Sequence, residues 1–224
     1  STQVYPSGTS YNNAKRIEGT IDQTPSPAVF QTVGFDFTGL FNTYRSYSDA
    51  MASCANNVQL YNTSGTAIAS NNVSSAQDVK ITSLANGSNY LDLTTTSLNN
   101  ISSIIFEGAG IPSATKLLVI TVPITANYIW NNKNMAGIGG AQGPYIIWNF
   151  TGATSYNLTI NTASLIIGTV YAPNHSLIKT GTGDIDGNIV AKTITLGTGE
   201  VHYFPFNGTL TMCCSSLTSA GTIG

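Results

Sequence analysis

Residues 165–206 read LIIGTVYAPNHSLIKTGTGDIDGNIVAKTITLGTGEVHYFPF, and two phrases in this stretch occur twice. IGTVYA (167–172) aligns with DGNIVA (186–191), which places Gly187 nineteen residues after Gly168. GTGDI (181–185) aligns with GTGEV (197–201), a step of sixteen from Gly181 to Gly197. Two phrases repeated in the same order at nearly the same pitch describe successive coils. Each coil is a short β-branched strand, a glycine corner and another short strand, and one coil alone cannot bury its apolar face. A step of this size fits a parallel β-solenoid better than a sandwich, whose turn signals recur every 8–12 residues or so. The glycines suit corners that need positive φ or a close backbone approach. Ile, Val and Leu then stack inside, with Thr and Asn mostly outside. Hairpins joined by GTG turns are the competing arrangement.

The 224 residues suffice for one large all-β domain or two small ones. Only 8% are charged, against about 25% in an ordinary globular chain. Ser, Thr, Asn and Gly take the surface that charges usually occupy. Eleven Tyr and eight Phe argue against disorder. With a net charge of −2 and no basic run, phosphate neutralisation has no footing, so nucleic acid is excluded as a partner. The most apolar stretch, 117–130, is interrupted by Pro123, Thr125 and Asn127, so no membrane span is expected. The first residue is Ser1 and no signal-peptide pattern follows, which reads as a mature or trimmed product.

Cys54, Cys213 and Cys214 match no zinc spacing and are too few for a disulfide framework. One bridge from Cys54 to the Cys213–Cys214 pair fits an oxidising compartment. Asn62, Asn72, Asn86, Asn100, Asn149, Asn157, Asn174 and Asn207 each begin an N-x-S/T sequon. Chance produces several in so Asn- and Thr-rich a chain. In a secreted protein they are candidate glycan sites, and glycans would supply the solubility that charges do not.

Along the chain, residues 1–35 read as an extended N-terminal segment with a strand near 16–21. Phe37, Leu40, Phe41, Tyr44, Tyr47, Met51 and Ala55 recur at helical spacing and predict an amphipathic helix over about 36–55, capped by Asp36 or Thr38, docked on a sheet. Short strands are expected at 58–61, 67–69, 79–81, 90–93 and 103–106. KLLVITVPI (116–124) suits a strand buried on both sides. Residues 127–143 read as an Asn/Gly-rich loop, 145–150 and 156–160 as strands, and 209–224 as a tail whose 209–212 piece caps the coil. The architecture is thus an all-β, parallel β-solenoid domain (36–208) carrying one docked helix.

IWNF with AT (147–150, 153–154), IGTVYAPN (167–174), GNIVAK (187–192), GEVH (199–202) and FPF (204–206) together resemble the choice-of-anchor A domain family. FDF (35–37) resembles that family's segment before its long helix. The resemblance spans 35–208. It implies a β-solenoid-like fold and a role at a surface or in a matrix, since the family holds secreted and wall-attached proteins, some labelled collagen-binding or adhesin-like. It supplies no catalytic residues. The family carries more Gly-rich solenoid sequence before the helix than the 35 residues present here, and this sequence shows no sorting motif or terminal apolar helix.

Asp184 and Asp186 face one side of a strand and Glu200 lies one coil on. Carboxylates on one solenoid face are the equipment of polysaccharide-cleaving β-helix enzymes or of a calcium site. Solvated residues lending solubility are the reading preferred. His202 beside Glu200 and His175 in a sequon loop read as structural. No cofactor, metal or catalytic residue is assigned. The sequence therefore describes a non-enzymatic, extracellular or cell-surface structural or adhesive module. Its partners are expected to be other copies of itself in a filament, or matrix and cell-surface glycans. A glycan- or ice-binding surface is the first alternative, although Thr193/Thr195 and Thr180/Thr182 give only fragments of a threonine ladder. A polysaccharide-active enzyme is the second.

Overall fold

The computed structural model describes residues 36–131 and 134–213. The strand expected at 16–21, and Cys214, lie outside the described residues. Backbone contacts divide the chain into Ser1–Phe37 and Thr38–Gly224, and the architecture below is that of the second unit.

Helix α1 (Phe37–Ala52) leads to strands β1 (Tyr61–Asn62), β2 (Gln77–Ser83) and β3 (Gly87–Asp92). Helix α2 (Thr95–Asn100) precedes β4 (Ile101–Ala109), β5 (Lys116–Pro123), β6 (Tyr128–Asn131) and β7 (Asn134–Ala136). There follow β8 (Ile146–Thr151), β9 (Asn157–Asn161), β10 (Ile166–Ile167), β11 (Thr169–Lys179), β12 (Ile185–Gly187), β13 (Ile189–Leu196) and β14 (Val201–Tyr203). One sheet runs β1-β2-β4-β7 and a second β10-β12-β14. The largest runs β3-β5-β8-β11-β9-β6, with β13 along β11. Among the described strands every pair is parallel except β1–β2. The protein is mostly β, and its largest sheet curls. The first part of β11 pairs with β8 and its last part with β9, and its register against β13 shifts between Ala172 and Ser176.

The repeated phrases lie side by side. Val170 stands opposite Ile189 and Ile167 opposite Asp186, the step of nineteen. Ile185 stands opposite Val201, the step of sixteen. Gly187 is required by that stacking, because a Cβ there would run into the carbonyl oxygen of Gly168.

Strand β5 shows why its sequence is a continuous apolar run. Leu118, Ile120 and Val122 enter the inner core, with Trp148 and Phe150 of β8 and Val170 of β11. Leu117 and Val119 point the other way, into a second cluster with Met51, Tyr90, Ile147, Tyr171, Phe206 and Leu210. That outer cluster is roofed by α1 and by the segment after β14. Parallel strands covered on both faces lose the polar alternation of half-exposed ones.

α1 begins one residue later and ends three earlier than predicted, and its stripe is uneven. Met51 is fully buried, Tyr44 and Tyr47 are partly buried, and Ala55 falls outside the helix and is exposed. The helix crosses the strands in order. Cys54, just past its end, joins the cluster containing Tyr90 of β3. Ser48 Oγ donates to Asn149 Oδ1 of β8 at 2.7 Å, and Tyr171 Oη of β11 donates to the Tyr44 carbonyl at 2.9 Å. Its N-terminal end therefore points toward β13.

Three expectations are corrected. The strand expected at 67–69 is a single bridge at Ala67 followed by a 3-10 turn, Ala69–Asn71. Residues 127–143 are not a loop throughout: β6 and β7 lie there, because Tyr128 and Trp130 alternate into the core and Met135 packs beneath Ile167. α2 was not foreseen; Thr94 caps it, its Oγ1 accepting from the Ser97 amide at 2.9 Å. Residues 209–212 do not cap the coil. From β14 the chain turns back as a strap along the outside of the large sheet. Asn207 N–H donates to the Pro144 carbonyl and Thr211 N–H to Ser88 Oγ, and Tyr90 Oη donates to the Thr211 carbonyl. The strap ends in the disulfide Cys54–Cys213, which confirms one of the two pairings left open.

The two edges of the stack are consequently unlike. At the β3 edge, Asn57 Oδ1 accepts from the Tyr90 amide at 2.7 Å, Asn56 Oδ1 accepts from the Asp92 amide at 3.0 Å, and Asn57 N–H donates to the Tyr90 carbonyl. At the β13 edge the side chains that belong to the inner columns are uncovered. Ile194, opposite the fully buried Leu177, is 46% exposed, and Leu196, opposite the buried Lys179, is 55% exposed.

Candidate functional site

The outer side of β6, β9 and the last parts of β11 and β13 is one extended surface. Leu158 and Ile160 of β9 point inward and are fully buried, as is Leu177 of β11. The residues between them point outward. In-register pairing stacks Asn157, Ser176 and Thr193 in one row, and Ile129, Thr159, Ile178 and Thr195 in the next. Rows in such a sheet are spaced by about 4.8 Å across strands and about 6.7 Å along them. Neither row contains an ionisable residue. Five of the seven positions are β-branched and held by their neighbours in few rotamers. Threonine repeats as T-x-T only on β13, so the surface is a mixed Asn/Ser/Thr/Ile array rather than a threonine ladder. Sequence reading found only that fragment, because the rows cross strands separated by up to thirty residues, as Ile129 and Thr159 are.

The acidic residues singled out in the sequence come together elsewhere, on the outside of β12 and β14. Asp184 Oδ1 accepts from the Glu200 amide at 2.7 Å. His202 lies between two carboxylates, with Nδ1 2.7 Å from Asp186 Oδ1 and Nε2 3.1 Å from Glu200 Oε2. The hydrogen bond to Asp186, then that to Glu200, holds the imidazole above its ordinary pKa of 6.5. Asp186 is nearly buried, and a Cβ on Gly140 would collide with its Oδ2 and with the ring of Phe204. Both ring nitrogens of His202 are thus engaged and one carboxylate is roofed over. This is the geometry of an ion-paired clip between adjacent strands. Among the described residues no group of three or more His, Cys, Asp or Glu is arranged to hold a metal ion.

Lys179 went unremarked in the sequence and is the most unusual cation in the structure. It is 1% exposed, and its Nζ donates to the carbonyls of Gly181 and Thr198, one from each GTG corner. Burial pushes its pKa down, and Asp184 opposes the shift. Gly199, at φ +74°, is needed both for that backbone conformation and because a Cβ would meet Lys179 Nζ. His175 is fully buried, and its Nδ1 accepts from the Tyr156 amide at 3.2 Å. Burial pushes this imidazole down, with the Thr151 backbone opposing.

Of the sequon asparagines, Asn72, Asn86, Asn157 and Asn207 are exposed, and Asn62, Asn100 and Asn174 are half-buried. Asn149 is fully buried, its Oδ1 accepting from Ser48 Oγ and its Nδ2 donating to the Ser48 carbonyl. The folded chain leaves no room for a glycan on it. Asn157 lies on the uncharged two-row surface itself. Among the described residues no helix is long and apolar enough to cross a membrane.

No curated protein and no solved structure matches the chain. A family model does, over residues 1–203, and its description is Putative Ice-binding-like adhesive domain. The resemblance read from the sequence is therefore upheld at the level of an adhesin-like family and not at that of choice-of-anchor A specifically. By that match the chain belongs to the ice-binding-like adhesive domain family.

Proposed function

We propose that this protein is a non-enzymatic extracellular adhesive module that holds its target through the uncharged Asn/Ser/Thr/Ile surface of β6, β9, β11 and β13. The observation that carries the reading is that surface, uncharged in both rows, on a chain that belongs to an adhesive family. A rigid array of hydroxyl, amide and methyl groups offers no electrostatic steering. It suits an extended, neutral, hydroxyl-rich target, such as a polysaccharide or an ice surface. The finer reading of the architecture, a parallel β-solenoid akin to choice-of-anchor A proteins, supports the same role, because stacked coils repeat the same outward positions from one coil to the next. Secretion, glycans on the exposed sequons and membership of a surface filament or matrix are parts of this proposal.

The test substitutes the middle of the array. Thr159→Lys and Ile178→Lys in one protein are expected to lower retention on immobilised neutral polysaccharide, or ice-recrystallisation inhibition, at least tenfold. Thr115→Lys, away from the array, is expected to change neither. If the native protein has neither activity, or the double variant retains full activity, the uncharged surface is not the contact surface.

A further inference from the structure

We propose that the β13 edge is an acceptor for residues 1–35 of a second copy, so that copies join head to tail by strand addition. This inference concerns the free edge and inner row of β13, not the outward-facing array, and stands whether or not that array binds glycan or ice.

Three observations carry it. First, the edge is an interrupted core. Ile194 and Leu196 occupy inward columns that are buried one strand earlier, yet both are about half exposed, and no other described strand lies beyond β13. An unpaired strand with free amides and carbonyls and an apolar inner row is a template for another strand. Second, the β3 edge, at the far end of the β5-β8-β11 half of the sheet, is closed: the side chains of Asn57 and Asn56 take the Tyr90 and Asp92 amides, so β13 of one copy cannot simply stack on β3 of the next. Third, the chain leaves that fold at the right place. α1 runs from β3 past β8 and β11, so its start, where residues 1–35 join, points toward the β13 edge. The segment is long enough to reach a neighbour, since 35 extended residues span up to about 115 Å. It also belongs to the family unit, whose match begins at residue 1.

Ile194, Leu196, Val201 and Tyr203 are exposed in the described fold, and the test below separates a donor from a second molecule from closure within one. Within 1–35 the stretch RIEGTI (16–21) alternates Ile17, Gly19 and Ile21 with polar residues, the pattern of a strand that buries one side. Laid along β13, its isoleucines continue the inner columns that end at Ile194 and Leu196. An acceptor at one place and a donor at another make a heterologous contact, which forms an open chain when its rotation does not close.

The test uses full-length protein in three forms, followed by sedimentation velocity. The native chain is expected to form species that grow with concentration. Ile194→Lys with Leu196→Lys removes the acceptor, and Ile17→Lys with Ile21→Lys removes the donor. Each variant alone is expected to be monomeric. Mixed one to one, they are expected to give heterodimers and nothing larger, because one intact donor and one intact acceptor remain. That complementation also shows that both variants are folded. The proposal is overturned if the native chain is monomeric throughout, the result if residues 1–35 close on their own copy. It is equally overturned if the donor variant alone still assembles, the result if two β13 edges pair directly, or if the mixture stays monomeric.

Discussion

His202 is the residue whose chemistry can be followed most directly in solution. Its folded pKa lies above 6.5 because Asp186 and Glu200 favour the imidazolium, with Asp184 adding to them. A group with a raised folded pKa contributes stability that is complete below its unfolded value and is lost as pH rises through the folded value. The clip between β12 and β14 is therefore expected to be fully made below about pH 6.5 and to weaken on the alkaline side. His175 works in the opposite sense: its lowered pKa costs stability as pH falls below 6.5. An NMR titration should show His202 titrating above His175, and His202→Gln should remove the alkaline loss while leaving the acid one. Equal pKa values for the two would contradict this assignment. The pairing of acids and histidine was half legible: the two-residue spacing placed Asp184 and Asp186 on one side, and the sixteen-residue step placed Glu200 beside them. That Asp186 is roofed by Phe204 and Gly140 was not, since Gly140 lies 46 positions upstream of Asp186. Asn149 was misleading for a related reason. A sequon records three residues, whereas the burial of its amide depends on Ser48, 101 positions away.

Among the elements, the strap and α1 share the outer cluster and the disulfide ties their ends. Replacing Cys54 and Cys213 by Ser is expected to lower unfolding stability by about 2–5 kcal/mol, read as a lower denaturation midpoint with the β-sheet circular dichroism unchanged below it. An unchanged midpoint would mean that the packing of Phe206 and Leu210 holds the strap unaided. The helix and the long strands were legible because their patterns run over many residues. β6, β7 and α2 were not, because each is short and exists through its partners: Trp130 against Trp148 and Phe150, Met135 against Ile167, and Thr94 over the start of α2. Local propensity is weak for such pieces and tertiary pairing decides.

At the scale of the molecule, parallel strands in series give a stability that is graded by position. β5 and β8 are covered on both faces and paired on both sides, whereas β13 is paired on one side only. Hydrogen exchange is expected to be slowest at Leu118–Val122 and Ile146–Phe150 amides and fastest among the sheet strands at Thr193–Leu196. Addition of a strand to β13 would slow the latter selectively. Uniform protection from β5 to β13 would refute the graded picture. The parallel pairing of the repeats was the most legible feature: phrases repeated at a fixed step suit neighbouring strands, and the steps of nineteen and sixteen reappear as the strand register. The uncharged surface was the least legible, because its rows are perpendicular to the chain.

The route of the strap has a mechanical consequence for a protein that adheres. Tension drawn on the polypeptide beyond Cys213 passes through the S–S bond into Cys54, at the far edge from β14. The load bypasses the weakly held last strands and reaches the sheet where asparagine side chains and α1 already anchor it. A pull on that side of the bond therefore does not begin by unzipping β14 and β13 one hydrogen bond at a time.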